Sequence, residues 1–296
     1  MEKFGWGSSS KEARRIGLLV IALVLELQLT QAADLSKAED LYKHTEFKAS
    51  LALLDKQSND AATNFLIARN YFMLGDAKKA VDFLQIVTTQ QPQNAEYMDW
   101  LGRAYGKRAE TSNPFMAPGF ASKARQAFEK AVDLDPRNKD ALSDLFDYYL
   151  EAPGFLGGGQ DKALAIAGRT AKFDPGQAYF EQAKVAQKRK EFETAEYHFR
   201  QAINLVPQGV GHLVALASFL ANQGRGNESD AIFLEAQTKY PNSPQVWFAW
   251  ASALVKQKRN LGDAKNMLEK YVRASITPDD PPKQEARRLL KEAGGA

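Results

Sequence analysis

The chain has 296 residues, of which 44% are hydrophobic and 25% charged, and its formal net charge is only +3. A near balance of charge argues against a nucleic-acid-binding protein, which needs cations clustered over one face. The chain has no cysteine, so disulfides, a lipidated cysteine and a cysteine nucleophile are all excluded.

The first 32 residues have the pattern of a targeting segment. A basic stretch ends in Arg14-Arg15, an apolar run covers 16–25, and small residues follow around Ala32. This order predicts a secretory signal peptide over residues 1–32, cleaved after Ala32, and hence a periplasmic or secreted protein. The alternative is an uncleaved inner-membrane anchor, although a run of about ten residues is short of the roughly 20 that span a bilayer.

Residues 61–94 contain two short amphipathic patterns. Apolar residues recur three and four positions apart on each side of the dipeptide Gly75-Asp76, which predicts two helices joined by a tight turn. Pro92 ends the second helix, because proline lacks the backbone N–H and disfavours a helical residue before it. Neither helix could bury its apolar face alone, so such hairpins are expected to stack on one another.

The same spacing recurs over residues 33–278, giving about seven helix pairs. Two consecutive units carry extra residues between their helices, about ten around 111–119 and about six within 152–159. After the last pair, the run 279–282 contains two aspartates and two prolines, a combination that favours a helix start. Residues 279–296 are therefore predicted to form a C-terminal capping helix and tail.

This pattern of Ala68, Tyr71, Gly75, Ala80, Leu84 and Pro92 resembles the tetratricopeptide repeat family. The loop pattern A-P-G-x-x-G-G at residues 152–158 is similar to that of small exported bacterial repeat proteins. The resemblance implies an all-α fold, a right-handed superhelical solenoid of stacked antiparallel helix pairs. It also implies a noncatalytic scaffold or adaptor of the cell envelope, because such proteins bind a partner segment in the concave groove lined by the first helix of each pair.

Transferring the family's groove positions predicts which residues contact the partner. Most of the charged ones are cationic, which favours an acidic partner segment. An alternative function is an exported binding protein for a small molecule or saccharide, held between the aromatic groove residues. The predicted groove residues are Phe65, Arg69, Asp99, Arg103, Lys107, Phe146, Tyr149, Phe180, Lys184 and Lys188, with Ser218 and Ser252 further along the chain.

The two insertions predict a second binding surface, because extra residues in consecutive stacked units emerge at one edge. Their apolar residues are unusual for solvent-exposed loops, and the alternative is that they pack on the solenoid. This predicted loop edge consists of Phe115, Met116, Phe120, Phe155 and Leu156.

Sequence motifs for a metal site, a phosphate-binding loop or a catalytic site are weak or incomplete. The three histidines lie on different units without metal-ligand spacing. The glycine run 157–159 precedes Lys162, but the residues around it do not complete a phosphate-binding loop. We therefore expect no enzyme activity, no cofactor and no metal. The expected partner is a protein or peptide, with no nucleic acid, and with membrane contact only through an uncleaved N-terminus.

Overall fold

The computed structural model describes residues 32–294 and is all-helical over that range. The predicted signal peptide lies outside the described residues except for its last position. The described helices are α1 (32–43), α2 (Phe47–Leu53), α3 (Ala61–Met73), α4 (Ala77–Gln90), α5 (Ala95–Thr111), α6 (Ala117–Leu134), α7 (Lys139–Glu151), α8 (Gln160–Thr170), α9 (Pro175–Lys188), α10 (Phe192–Leu205), α11 (Val210–Asn222), α12 (Gly226–Lys239), α13 (Pro244–Lys256), α14 (Leu261–Arg273) and α15 (Lys283–Gly294).

Consecutive helices pack as pairs, and each pair packs on the next, so seven units and a last helix form one solenoid. The predicted repeat over 61–94 is confirmed as α3 and α4. Ala68 and Ala80, the two small residues at the crossing, are fully buried and let the helices approach closely. Gly75 has φ of 82° in the turn, a conformation that side chains with a Cβ rarely adopt.

Short polar side chains fix where many helices begin. Each accepts a backbone N–H from the first turn of its helix, replacing a hydrogen bond that the helix itself cannot make. Asp60 binds the N–H of Thr63 at 2.8 Å, and Asn94 binds that of Tyr97 at 3.1 Å. The same capping is found at Asp76, Asn138, Asp174 and Ser243.

The first insertion is mostly helical, which the sequence did not predict. α5 has 17 residues and α6 has 18, whereas the uninterrupted pair α3 and α4 has 13 and 14. Only Ser112–Met116 lie outside the two helices. Pro118 stands in the first turn of α6, where its missing N–H costs nothing. The extra residues therefore lengthen both helices beyond the edge of the solenoid.

The second insertion forms an ordered turn. Gly154–Leu156 make one turn of 3-10 helix, and Gly157 follows with φ of 88°. The hydroxyl of Tyr148 donates to the carbonyl of Leu156 at 2.8 Å, and Lys162 donates to the carbonyl of Gly157 at 2.8 Å. A Cβ on Gly158 would lie 1.8 Å from a backbone oxygen of α7's C-cap residue, so only glycine fits there.

The C-terminal helix packs on the last pair, with Ala286, Leu289 and Ala293 buried against it. The predicted start is wrong, because α15 begins at Lys283. Asp280 instead accepts hydrogen bonds from the backbone and hydroxyl of Thr277, at 2.8 and 3.0 Å, and so closes a turn before the helix.

The solenoid curves far enough for its two ends to face each other. A cavity of about 730 Å³ is lined on one side by the turn between α1 and α2 and on the other by residues of 276–287. The segment before α15 therefore lies opposite the first units, at the open end of the face formed by the first helices.

Candidate partner-binding site

Arg69 lies at the centre of an aromatic cluster built by three successive first helices. Its guanidinium carbon is 4.3 Å from the ring centroid of Tyr42 on α1, 5.5 Å from that of Phe65 on α3, and 5.0 Å from that of Trp100 on α5. A guanidinium stacked on aromatic faces gains cation–π attraction and keeps its in-plane N–H groups free to donate.

One of these donors has no acceptor. The Nε of Arg69 is buried without a hydrogen-bond partner among the described residues. Beside it is a pocket of about 320 Å³, lined by Tyr42, Trp100 and Arg103 on one side and by Thr277–Asp279 on the other. Because an unpaired buried N–H costs about 1–3 kcal/mol, an acceptor from a ligand would stabilise this site.

Arg103 is held by two carboxylates. Its Nε lies 3.1 Å from Asp99 and donates a hydrogen bond to Asp144 on α7. Burial, with the negative charge of the neighbouring Asp144 as the second cause, raises the pKa of Asp99 to about 8. Burial also raises the pKa of Asp144, so the two carboxyls resist ionising together, and Arg103 neutralises the negative charge that they carry.

The prediction of a cationic groove needs correction, because carboxylates that the sequence analysis did not consider form ion pairs with most of these cations. Lys184 on α9 pairs with Asp147, and Lys188 pairs with Glu151 at 2.6 Å. Lys107 pairs with Glu110 at 2.8 Å. Four of the five predicted cations are therefore paired with carboxylates of the same chain. The preference for an acidic partner stays a prediction that depends on Arg69. The acids on α7 were visible in the sequence as a helical stripe at Asp140, Asp144, Asp147 and Glu151.

Three predicted groove residues are not on the surface at all. Phe65 is 8% exposed, Asp99 is 2% exposed and Phe146 is 1% exposed, because each packs between adjacent helices. In this structure they pack beneath the groove, and their contact with a partner stays a prediction.

The three aromatic residues that were predicted to hold a saccharide do not lie together in one site. Tyr149 points toward the second helices, where its hydroxyl donates to Glu129 on α6 at 2.7 Å. Phe180 packs on Phe199 and His212, with centroid distances of 5.9 and 5.4 Å. With Phe146 buried, no aromatic platform for a sugar forms from these three rings. Ser218 and Ser252, by contrast, line one groove pocket of about 260 Å³.

Only three of the five residues of the predicted loop edge are exposed to solvent. Phe115 is 96% exposed, Phe155 82% and Met116 51%. Phe120 instead packs on Tyr105 with centroids 6.3 Å apart. Leu156 is half-buried and holds the 3-10 turn through its carbonyl, as described above.

Of the residues that line the pocket, the sequence analysis predicted only Arg69 and Arg103, and it missed the others, Tyr42, Trp100 and Asp279 among them. Helical spacing places Tyr42 on one face of α1 but does not show that it lies beside Arg69 of the next unit. Asp279 was taken as a helix cap, and no periodic pattern could have shown that the chain's end returns to its beginning.

Within residues 32–294, no group of His, Cys, Asp and Glu side chains has the arrangement of a metal site. No helix in the same range is both long and apolar enough to span a membrane.

Comparison with known proteins identifies the repeat and the fold. The sequence profile of the tetratricopeptide repeat family matches residues 62–94. No curated protein matches the chain in sequence. A tetratricopeptide repeat protein from Parabacteroides merdae superposes with a TM-score of 0.57 at 13% identity, over 90% of this chain and 99% of that one. A thermophilic tetratricopeptide repeat protein from Thermus thermophilus gives 0.53 at 19% identity, over 64% and 98%. The chain therefore contains one unit, at residues 62–94, that matches the tetratricopeptide repeat, and its fold is similar to that of tetratricopeptide repeat proteins.

Proposed function

We propose that the protein is a noncatalytic scaffold of the cell envelope that binds a segment of a partner protein at the N-terminal end of its groove. The single observation that carries the site is the Nε of Arg69, which is buried without a hydrogen-bond partner among residues 32–294, beside a pocket of about 320 Å³. An unpaired donor held between aromatic rings, with a pocket next to it, supports a site that receives an acceptor from a partner.

The chemistry of the pocket indicates which type of partner side chain it would bind. The rings of Tyr42 and Trp100 flank the guanidinium, and Arg103 is already paired with Asp144. A carboxylate or amide oxygen carried by an extended segment would accept from Arg69, while the aromatic rings cover the apolar part of that side chain. The envelope location is supported by the basic and apolar N-terminal pattern alone.

Photocrosslinking in living cells tests the site. A photoreactive amino acid is placed at Phe72, which lines the pocket, and as a control at Leu234, which is 57% exposed on α12. We expect a discrete crosslinked partner from position 72 and none from position 234. The same adducts from both positions, or adducts from 234 alone, would show that the groove is not the binding site.

A further inference from the structure

The exposed apolar side chains at the insertions are presented by ordered turns. The side chain of Asn113 accepts the backbone N–H groups of both Phe115 and Met116 at 3.1 Å, which fixes the tip between α5 and α6. Phe155 stands in the 3-10 turn, whose backbone closes with hydrogen bonds at 2.9 Å to Pro153 and Gly154. The hydrogen bonds of these two turns therefore hold Phe115 and Phe155 in positions that are exposed to solvent.

Both turns lie at one edge of the solenoid, as the stacking of consecutive units predicts. The 3-10 turn packs on α6. A Cβ added to Gly157 would lie 2.8 Å from the Nε of Arg125, so the turn reaches that point of the helix. Arg125 is eight residues after Ala117, which corresponds to about 12 Å along the helix at 1.5 Å per residue.

Three cations without an ion pair among the described residues lie on the helices that flank the two turns, Arg108 on α5, Lys123 on α6 and Lys162 on α8. Arg108 and Lys123 lie 4.8 and 6.0 Å from the ring centroid of Phe120, and Lys162 binds a carbonyl of the 3-10 turn. Across the described chain these three cations form no ion pair. The nearby carboxylates are each paired with another cation, as Glu110 with Lys107, Glu129 with Arg125, Glu151 with Lys188 and Asp161 with Arg189.

We propose that this edge, defined by Phe115, Met116 and Phe155 with Arg108, Lys123 and Lys162, binds an anionic lipid surface. The apolar side chains enter the boundary between headgroups and acyl chains, and the cations meet the lipid phosphates. A fluid lipid surface can take up the rings of both turns, although the turns lie at different levels, because lipids need no preformed shape that matches the rings. A protein partner would need a pocket for each ring.

The absence of cysteine allows a local test in the full chain, independent of any lipid binding by residues 1–32. Met116→Cys carries a single environment-sensitive NBD fluorophore, and Leu234→Cys, at a side chain of similar exposure on α12, is the matched control. The probes are vesicles of phosphatidylglycerol and phosphatidylcholine, and vesicles of phosphatidylcholine alone.

We expect the label at 116 to brighten and shift to the blue with the anionic vesicles, and the label at 234 to remain unchanged. The response should fall several-fold in about 0.5 M NaCl, because salt screens the attraction of the cations. Phe115→Ser with Phe155→Ser should lower the response about tenfold at limiting lipid, since both rings then lose their burial.

An unchanged label at 116, an equal response at 234, or an equal response to both vesicle types would overturn the proposal. A label at 116 that responds to a purified partner protein but to neither vesicle would overturn it in favour of a protein-binding edge. Loss of the groove adducts at position 72 would leave this proposal standing, because the two surfaces share no residue.

Discussion

The guanidinium of Arg69 stacks on the ring of Tyr42, 4.3 Å from its centroid, although the two residues belong to the first helices of different units. Trp100 of the third unit covers the guanidinium as well, at 5.0 Å. The cluster therefore joins three units and fixes the position of the unpartnered Nε, which is the donor on which the proposed function depends.

Replacing Arg103 by methionine should destabilise the protein by about 1–3 kcal/mol. The change leaves the carboxyls of Asp99 and Asp144 close together in a buried site without their cation. Urea unfolding of the variant measures the loss. Lys107→Met is the matched control, because Lys107 and its partner Glu110 are both exposed and such a pair contributes less than about 1 kcal/mol. Equal stability of the two variants would show that Arg103 does not hold the carboxylates.

Glu181 makes the stability depend on pH. It is 1% exposed on α9, and burial raises the pKa of its carboxyl from 4.5 to about 7. The unfolded chain ionises this group at lower pH than the folded protein does, so the free energy of unfolding falls as pH rises from about 4.5 through about 7. Asp99, whose pKa is raised to about 8, acts in the same direction.

The variant Glu181→Gln removes this part of the pH dependence. We expect it to be more stable than the wild type at pH 8, by about 1–3 kcal/mol, with a much smaller difference near pH 5. Chemical unfolding of both proteins at the two pH values gives the comparison. Parallel pH profiles for the two proteins would mean that Glu181 is ionised normally in the fold.

Removing an exposed ring at the loop edge should leave the free energy of unfolding nearly unchanged. Phe115→Ala is expected to change the free energy of unfolding by less than about 0.5 kcal/mol, because the side chain is 96% exposed. Phe120→Ala should cost about 1–3 kcal/mol, because Phe120 packs on Tyr105 and lies beneath Arg108. Thermal unfolding distinguishes them, and a large loss for Phe115→Ala would mean that its ring is covered in solution.

The N-terminal pattern predicts export with cleavage after Ala32. Protein recovered from the cell envelope should then have an intact mass that corresponds to a chain beginning at Ala33. A chain that begins at Met1 and remains in the cytosol would contradict the proposed location while leaving the groove proposal intact.

Periodicity was sufficient to predict stacked pairs of helices, and the resemblance to a known repeat family implied the solenoid. Ala68, Ala80 and Pro92 stand where helix crossing and helix ending require small residues and proline, and the structure confirms both helices of that unit. The groove was harder, because helical spacing places a residue on a face but does not show its neighbour on the next helix. Arg103 and Lys184 looked free in sequence, and carboxylates about 40 residues away neutralise them.

The return of the chain's end to its start was not predictable for a different reason. The curvature of a solenoid sums small rotations between units, and no local pattern encodes that sum. Asp279 therefore looked like a helix cap, whereas the structure places it across the pocket from Tyr42 and Arg69.

The central claim is that Arg69 binds the partner. The most direct measurement is the equilibrium affinity of a peptide spanning the segment crosslinked at position 72, compared between the wild type and Arg69→Gln. Loss of a charged donor to a buried acceptor predicts binding weaker by about tenfold or more. The control Arg189→Gln removes a guanidinium that pairs with Asp161, outside the pocket, and should bind as the wild type does. Equal affinity of Arg69→Gln and the wild type would contradict the account.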